Sequence, residues 1–176
     1  MAILLPSGSY ISIIDGFPMS VSGFKRAHFS RLHKGEATYG YCAAKAMKYY
    51  GFKEHLLIDK SGVIIDSAIA AVNVDEREML LELAAKNGFK TLGDKGYICL
   101  ESLKDELLRA GISLHTPPLR DNMKDDRPRD VVKALNNTRR IVETVIGQLS
   151  GRFNIEKVRA RDLCENIYSM INIICF

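Results

Sequence analysis

The strongest constraint on the fold is the order in which strand-like and helix-like stretches follow one another. Residues 10–15 form a short, largely apolar run closed by Gly16 and Pro18, as expected of a buried strand with a turn behind it. Residues 20–48 are Gly-rich and basic and show no clear period, so they read as a long functional connection. Residues 50–58 and 63–71 are strand-like, and Asp59, Lys60, Ser61 and Gly62 between them supply turn chemistry, which implies an antiparallel pair. The period then changes. Residues 75–87 carry Met79, Leu80, Leu83 and Ala84 at helical spacing, with Asp75 and Glu78 placed for a capping box and Gly88 suited to the stop. A short strand over residues 89–93 ends at Asp94. Leu100, Leu103, Leu107 and Leu108 mark a second amphipathic helix, stopped by Gly111, and residues 112–115 form another short strand. Residues 130–149 read as a third helix with Ile141, Val142, Val145, Ile146 and Leu149 on its buried side, and residues 163–174 as a last helix.

Three strands followed by alternating helices and strands predict an α/β domain. Its sheet is mixed, three antiparallel strands and then parallel ones, flanked by helices. This is the element order of the ribonuclease-H-like fold, although order alone also fits other α/β domains. At 176 residues the chain is long enough for one core, and residues 1–176 read as a single domain. The longest apolar runs are too short to span a bilayer, and no charged segment precedes the apolar start as in a secretory signal. Cys42, Cys99, Cys164 and Cys175 lack metal-ligand spacing and read as reduced thiols of a cytoplasmic protein.

Charge is distributed unevenly. From Ser20 to Lys53 there are seven Lys/Arg against one acid, from Glu54 to Ala110 seven against eleven, and from Arg120 to Arg161 eleven against six. Basic segments flanking an acidic centre suit an enzyme that holds phosphates with cations and metal ions with carboxylates, although a charge run alone is more often solvated surface. Tyr39, Tyr41 and Tyr49 interleave with Lys45 and Lys48, a pattern that permits base stacking or, equally, packing. His28 and His33 lie in the basic connection without ligand spacing and are expected in solvent. Glu54 puts a charge where a strand calls for an apolar residue.

Three acids stand out by position. Asp15 ends the first strand, Asp94 ends the strand after the first helix, and Glu143 lies on the third helix. Each has an ordinary explanation alone: turn initiation, a strand exit, and an i,i+4 partner for Arg139. Together they form a set of hard oxygen ligands for Mg²⁺ (or Mn²⁺), and two such ions about 3.5–4 Å apart can serve an in-line phosphoryl displacement.

The chain also resembles the Asp-Asp-Glu transposases of bacterial insertion sequences. The likeness is carried in order by Ile14 to Pro18, by Tyr50 to Lys53 with His55 and Leu56, and by Asn73 to Glu78. Gly93 to Tyr97 and Arg139 to Val145 complete it. It implies a ribonuclease-H-like catalytic domain that hydrolyses DNA at transposon ends and transfers the 3′-hydroxyl to a target, with Asp15, Asp94 and Glu143 as catalytic metal ligands. Arg139 matches the arginine of the family's Tyr-Arg-Glu-Lys signature and would grip a phosphate. Asn136 and Ser150 stand where that signature has tyrosine and lysine. Asp94 follows Asp15 by 79 residues and Glu143 follows Asp94 by 49, the spacing of a compact member. Arg140, Lys95, Tyr97, Lys53 and His55 are further candidate DNA contacts, the last two because they share one face of a strand. A half-exposed strand with a polar face is the equal alternative for that pair. The expected partners are transposon ends and target DNA, with a homodimer on DNA and association with the nucleoid. An N-terminal end-binding region is expected to be missing, which suggests a truncated or remnant protein, or an isolated catalytic domain. Two other readings stay open: a non-catalytic DNA-binding or interaction module derived from a transposase, and a different ribonuclease-H-like nuclease.

Overall fold

The computed structural model describes residues 11–85, 90–98, 101–117 and 129–157. Its centre is a six-stranded mixed sheet. Strand β1 (Ile11–Gly23) pairs antiparallel with β3 (Met47–Asp59), from Ser12 opposite Asp59 to Gly23 opposite Tyr49. The far edge of β3 carries two strands in succession, β2 (Thr38–Cys42) beside its first half and β4 (Ile64–Ala71) beside its second, both antiparallel. On the other side of β1, β5 (Lys90–Gly93) is parallel to it and β6 (Ser113–His115) is parallel to β5. The expected succession of antiparallel and then parallel strands is therefore present, with β2 added. Among the described residues, four helices accompany the sheet: the single turn α1 (Phe24–Ala27), α2 (Glu76–Ala85), α3 (Glu101–Arg109) and α4 (Arg129–Phe153).

Side chains alternate between the two faces of a strand, so β1 and β3 feed two cores. One face gathers Ile13, Phe17, Met19, Phe52, Leu56 and Ile58 against Val142 and Leu149 of α4. The other gathers Ile14 and Leu57 against Leu80, Leu83 and Ala84 of α2, Leu107 of α3, Ile112 and Tyr97. The α4 stripe is the expected one, with Ile141, Val145 and Ile146 packed against its core. On α3 the apolar stripe is narrower than expected, because Leu108 is exposed while Leu103 and Leu107 pack inward.

Three local expectations are corrected. Strand β1 does not end at Gly16 and Pro18 but runs on to Gly23. The Ser20 N–H points away from β3, to the Glu156 carbonyl at 2.8 Å. Two residues earlier the Pro18 nitrogen points the same way, so its missing N–H removes no bond to β3. The stretch 20–48 is not one structureless connection, since it contains the end of β1, α1, β2 and the start of β3. At α2, the Asp75 carboxylate accepts from the Arg77 amide at 3.0 Å, two residues on instead of three. The β3–β4 turn forms as expected, with Gly62 at φ 88°. Phe89, Leu100, Gly88 and the helix expected over 163–174 lie outside the described residues.

Candidate active site

The parallel pairing of β1 with β5 sets Ile14 opposite Gly93, so the next residues, Asp15 and Asp94, emerge side by side. Asp15 lies opposite Leu56 and so belongs to the sheet face covered by α4. Its carboxylate accepts the Gly16 amide at 2.8 Å. Burial and then the charge of Asp94 raise the Asp15 pKa to about 6, against the opposing pull of the Gly16 N–H, Lys53 and Arg139. The charge of Asp94 thus works against ionisation of Asp15, an effect that a nearby cation would offset. Asp94 caps the short turn Lys95–Tyr97 by accepting the Gly96 amide at 2.7 Å.

The third acid is placed differently. Glu143 lies on the exposed side of α4, where its carboxylate accepts from Arg139 Nε at 3.0 Å. The charge of Arg139 still reaches Asp15, so this turn of α4 borders the acid pair. Among the described residues no group of three or more His, Cys, Asp or Glu side chains is gathered closely enough to hold a metal ion. The chemistry of Asp15 and Asp94 fits a hard divalent cation, while Glu143 is paired with Arg139.

The expected DNA contacts divide into two groups. Arg139, Arg140 and Lys95 are exposed. Lys53 lies half-buried: its chain passes over Gly16, where a Cβ would stand 2.7 Å from Lys53 Cε, and its ammonium pairs with Glu76 at the start of α2. Burial lowers the Lys53 pKa, while Asp94 and Asp15 act to raise it. Tyr97 and His55, by contrast, are corrections. Both are buried, and His55 Nδ1 meets the Tyr97 hydroxyl at 2.8 Å. They pack inside the α2–α3 face instead of facing a substrate, and burial holds the His55 pKa down near 4. His33, expected in solvent, is also buried, with its ring edge-on to Phe52. Tyr49 is buried as well, whereas Tyr39 and Tyr41 are exposed.

Sequence reasoning missed Glu76 and Gly96 as parts of this site. A Cβ on Gly96 would overlap Glu76 Oε2 and stand 3.0 Å from Asp94 Oδ1, so the Glu76 carboxylate lies against the Asp94 turn. The available signal was that Glu76 falls within Asn73–Glu78 and Gly96 within Gly93–Tyr97, both stretches that carry the family likeness.

Asp15, inside β1, and Asp94, just beyond the end of β5, thus lie side by side in a mixed sheet near the arginine-bearing helix α4. The family model of the transposase DDE domain matches residues 7–163, and the chain belongs to that family. Neither the curated proteins nor the solved structures contain a match. Membership supports a transposase function, DNA as the substrate class and divalent cations as the family's general cofactor. No helix among the described residues is long and apolar enough to cross a membrane.

Proposed function

We propose that this chain is the catalytic domain of a DNA transposase that hydrolyses phosphodiester bonds at transposon ends and carries out strand transfer. The sheet order β4-β3-β1-β5-β6 supports a ribonuclease-H-like fold for it. The observation that carries the reading is the adjacency of Asp15 and Asp94, with the Asp15 pKa lifted to about 6. In this reading Asp15 and Asp94 hold Mg²⁺ or Mn²⁺, and Glu143 completes the ligand set once it leaves Arg139. Divalent cations held there, two by this reading, would supply Lewis-acid activation of the phosphate and of the attacking oxygen. Arg139, released by Glu143, turns to a phosphate oxygen, and Arg140 and Lys95 hold the neighbouring backbone by charge. Lys53 stays near the acid pair, tethered by Glu76, and offsets part of its negative charge.

The exposed Arg139–Glu143 pair also supports a second reading, a DNA-binding module in which the third acid has no part in catalysis. Titration of Mn²⁺ followed by its electron paramagnetic resonance signal separates the two. The catalytic reading expects binding that Asp15→Asn and Asp94→Asn each weaken at least about tenfold, and that Glu143→Gln also weakens. Binding insensitive to all three substitutions would count against it.

A further inference from the structure

Away from the acid pair, one patch of the surface combines rings and cations. Among the described residues, six of the ten exposed large hydrophobics fall between Phe24 and Met47. The stretch from Gly23 to Lys48 holds six Lys/Arg and one acid, Glu36. Strand β2 accounts for the arrangement. Its burial alternates, so Tyr39 and Tyr41 share its open face, 52% and 60% exposed. Tyr39 lies opposite Tyr50 and Tyr41 opposite Lys48, which puts Lys48 on that face too. Phe24, at the start of α1, meets Tyr39 edge-on at 5.5 Å, and the Lys48 ammonium sits 5.6 Å from the Phe24 ring centre. Lys25 and Arg26 of α1 are exposed beside Phe24, with no ion-pair partner among the described residues.

We propose that Phe24, Tyr39, Tyr41 and Lys48, rimmed by Lys25 and Arg26, form a platform that binds single-stranded DNA. The inference rests on the reading of DNA as substrate and adds a second site to it. Rings left this open cost apolar surface in water, and every base offers a face on which they can stack. The cations select a polyanion, and the same positive charge opposes pairing with a second copy of the chain. Tyr50 is in the core cluster that packs against α4, and Asp15 lies on that same face. Tyr39 is opposite Tyr50 and Asp15 is opposite Leu56, six residues along β3. At about 3.3 Å per residue the platform therefore stands about 20 Å from the acid pair. A strand reaching from one to the other spans about six nucleotides, so the ligand is flanking DNA unpaired near the cleaved bond.

The test is fluorescence anisotropy at low salt with labelled oligothymidylate of about twelve nucleotides, a length within the usual range of single-strand sites, and with a duplex of equal length. The proteins are the wild type, the Tyr39→Ala/Tyr41→Ala double variant, the Lys25→Ala/Arg26→Ala double variant and Asp94→Ala. The chain has no tryptophan, so quenching of its tyrosine emission reports stacking directly. We expect the single strand to quench the wild type and Asp94→Ala alike. The tyrosine variant should lose at least about tenfold in affinity with an unchanged melting temperature. The Lys25/Arg26 variant should show a shallower salt dependence. Wild-type affinity in the tyrosine variant, duplex binding that ignores it, or a dimer it dissolves without any oligonucleotide binding would each overturn the platform. Those results would leave Asp94-dependent cleavage untouched, so the two readings fail separately.

Discussion

His55 Nδ1 and the Tyr97 hydroxyl, 2.8 Å apart, tie the middle of β3 to the turn that begins at Asp94. Tyr97 is fully buried and lies three residues beyond Asp94. Its ring also closes on Gly93, where a Cβ would stand 3.0 Å from Tyr97 Cβ. One buried side chain thus fixes where the second acid emerges. Tyr97→Phe leaves a buried His55 nitrogen unsatisfied, at a cost of about 1–3 kcal/mol. For a chain of this size that lowers the melting temperature by roughly 2–4 °C per kcal/mol, which a thermal melt would show. An unchanged melt would mean that the hydrogen bond holds nothing in place.

Glu54 presents the opposite situation. It is fully buried on the α4 face of β3, between Phe17 and Ile69 in register, and among the described residues neither carboxylate oxygen has a partner. Asp15 is the acid next along that face on β1, and Arg139 of α4 lies within electrostatic reach of Asp15. Burial raises the Glu54 pKa from 4.5 to about 8. Between these values the folded state keeps a proton that the unfolded chain has lost, so stability falls as pH rises from about 4.5 to 8. The slope reaches at most about 1.4 kcal/mol per pH unit. Glu54→Gln should flatten this profile and melt higher than the wild type at alkaline pH. Parallel profiles for the two proteins would show that Glu54 is paired or hydrated.

Gly96 leaves room for the Glu76 carboxylate beside Asp94. In Gly96→Ala the new methyl displaces Glu76, and with it the anchor of Lys53. Because Gly96 lies in an exposed turn, the fold should survive. Mn²⁺ affinity should drop by about tenfold or more, the usual effect of disturbing groups that orient metal ligands. A titration matching the wild type would remove Glu76 and Lys53 from the site.

Arg139 separates stability from chemistry. Its ion pair with Glu143 is exposed and has Arg on the N-terminal side, so Arg139→Ala should change stability by less than about 0.5 kcal/mol. Loss of a phosphate contact in the transition state should nonetheless slow DNA cleavage by at least about tenfold, or about 1.4 kcal/mol. Equal cleavage rates would make the arginine a surface residue.

Much of this architecture is legible in the residues, and the failures share a cause. Period and turn chemistry locate β3, β4, α2 and α4, because each has a long apolar stripe or a clear stop such as Gly62. Strand β2 escapes notice because Thr38 to Cys42 alternate small, aromatic and polar residues with no apolar run. Pro18 suggests a strand end because its tolerance depends on which way its nitrogen faces, here away from β3 and toward the side where Ser20 meets Glu156. The alternation of Lys53 with Phe52 correctly puts Lys53 and His55 on one face, but period 2 does not say which face a helix covers. The α2–α3 core closes over His55 and Tyr97, and polar residue types give no warning of that. Asp94 follows the end of β5 as its position suggests, whereas Asp15 lies inside β1 because the strand continues past Pro18, and Glu143 pairs with Arg139 on α4.

Cleavage of labelled DNA in Mg²⁺ or Mn²⁺ by the wild type and by Asp94→Ala tests the central claim most directly. The account predicts metal-dependent nicking by the wild type and none by the variant, with both proteins folded to the same melting temperature. Nicking that survives in Asp94→Ala, or a folded wild type inert with both metals, would contradict it.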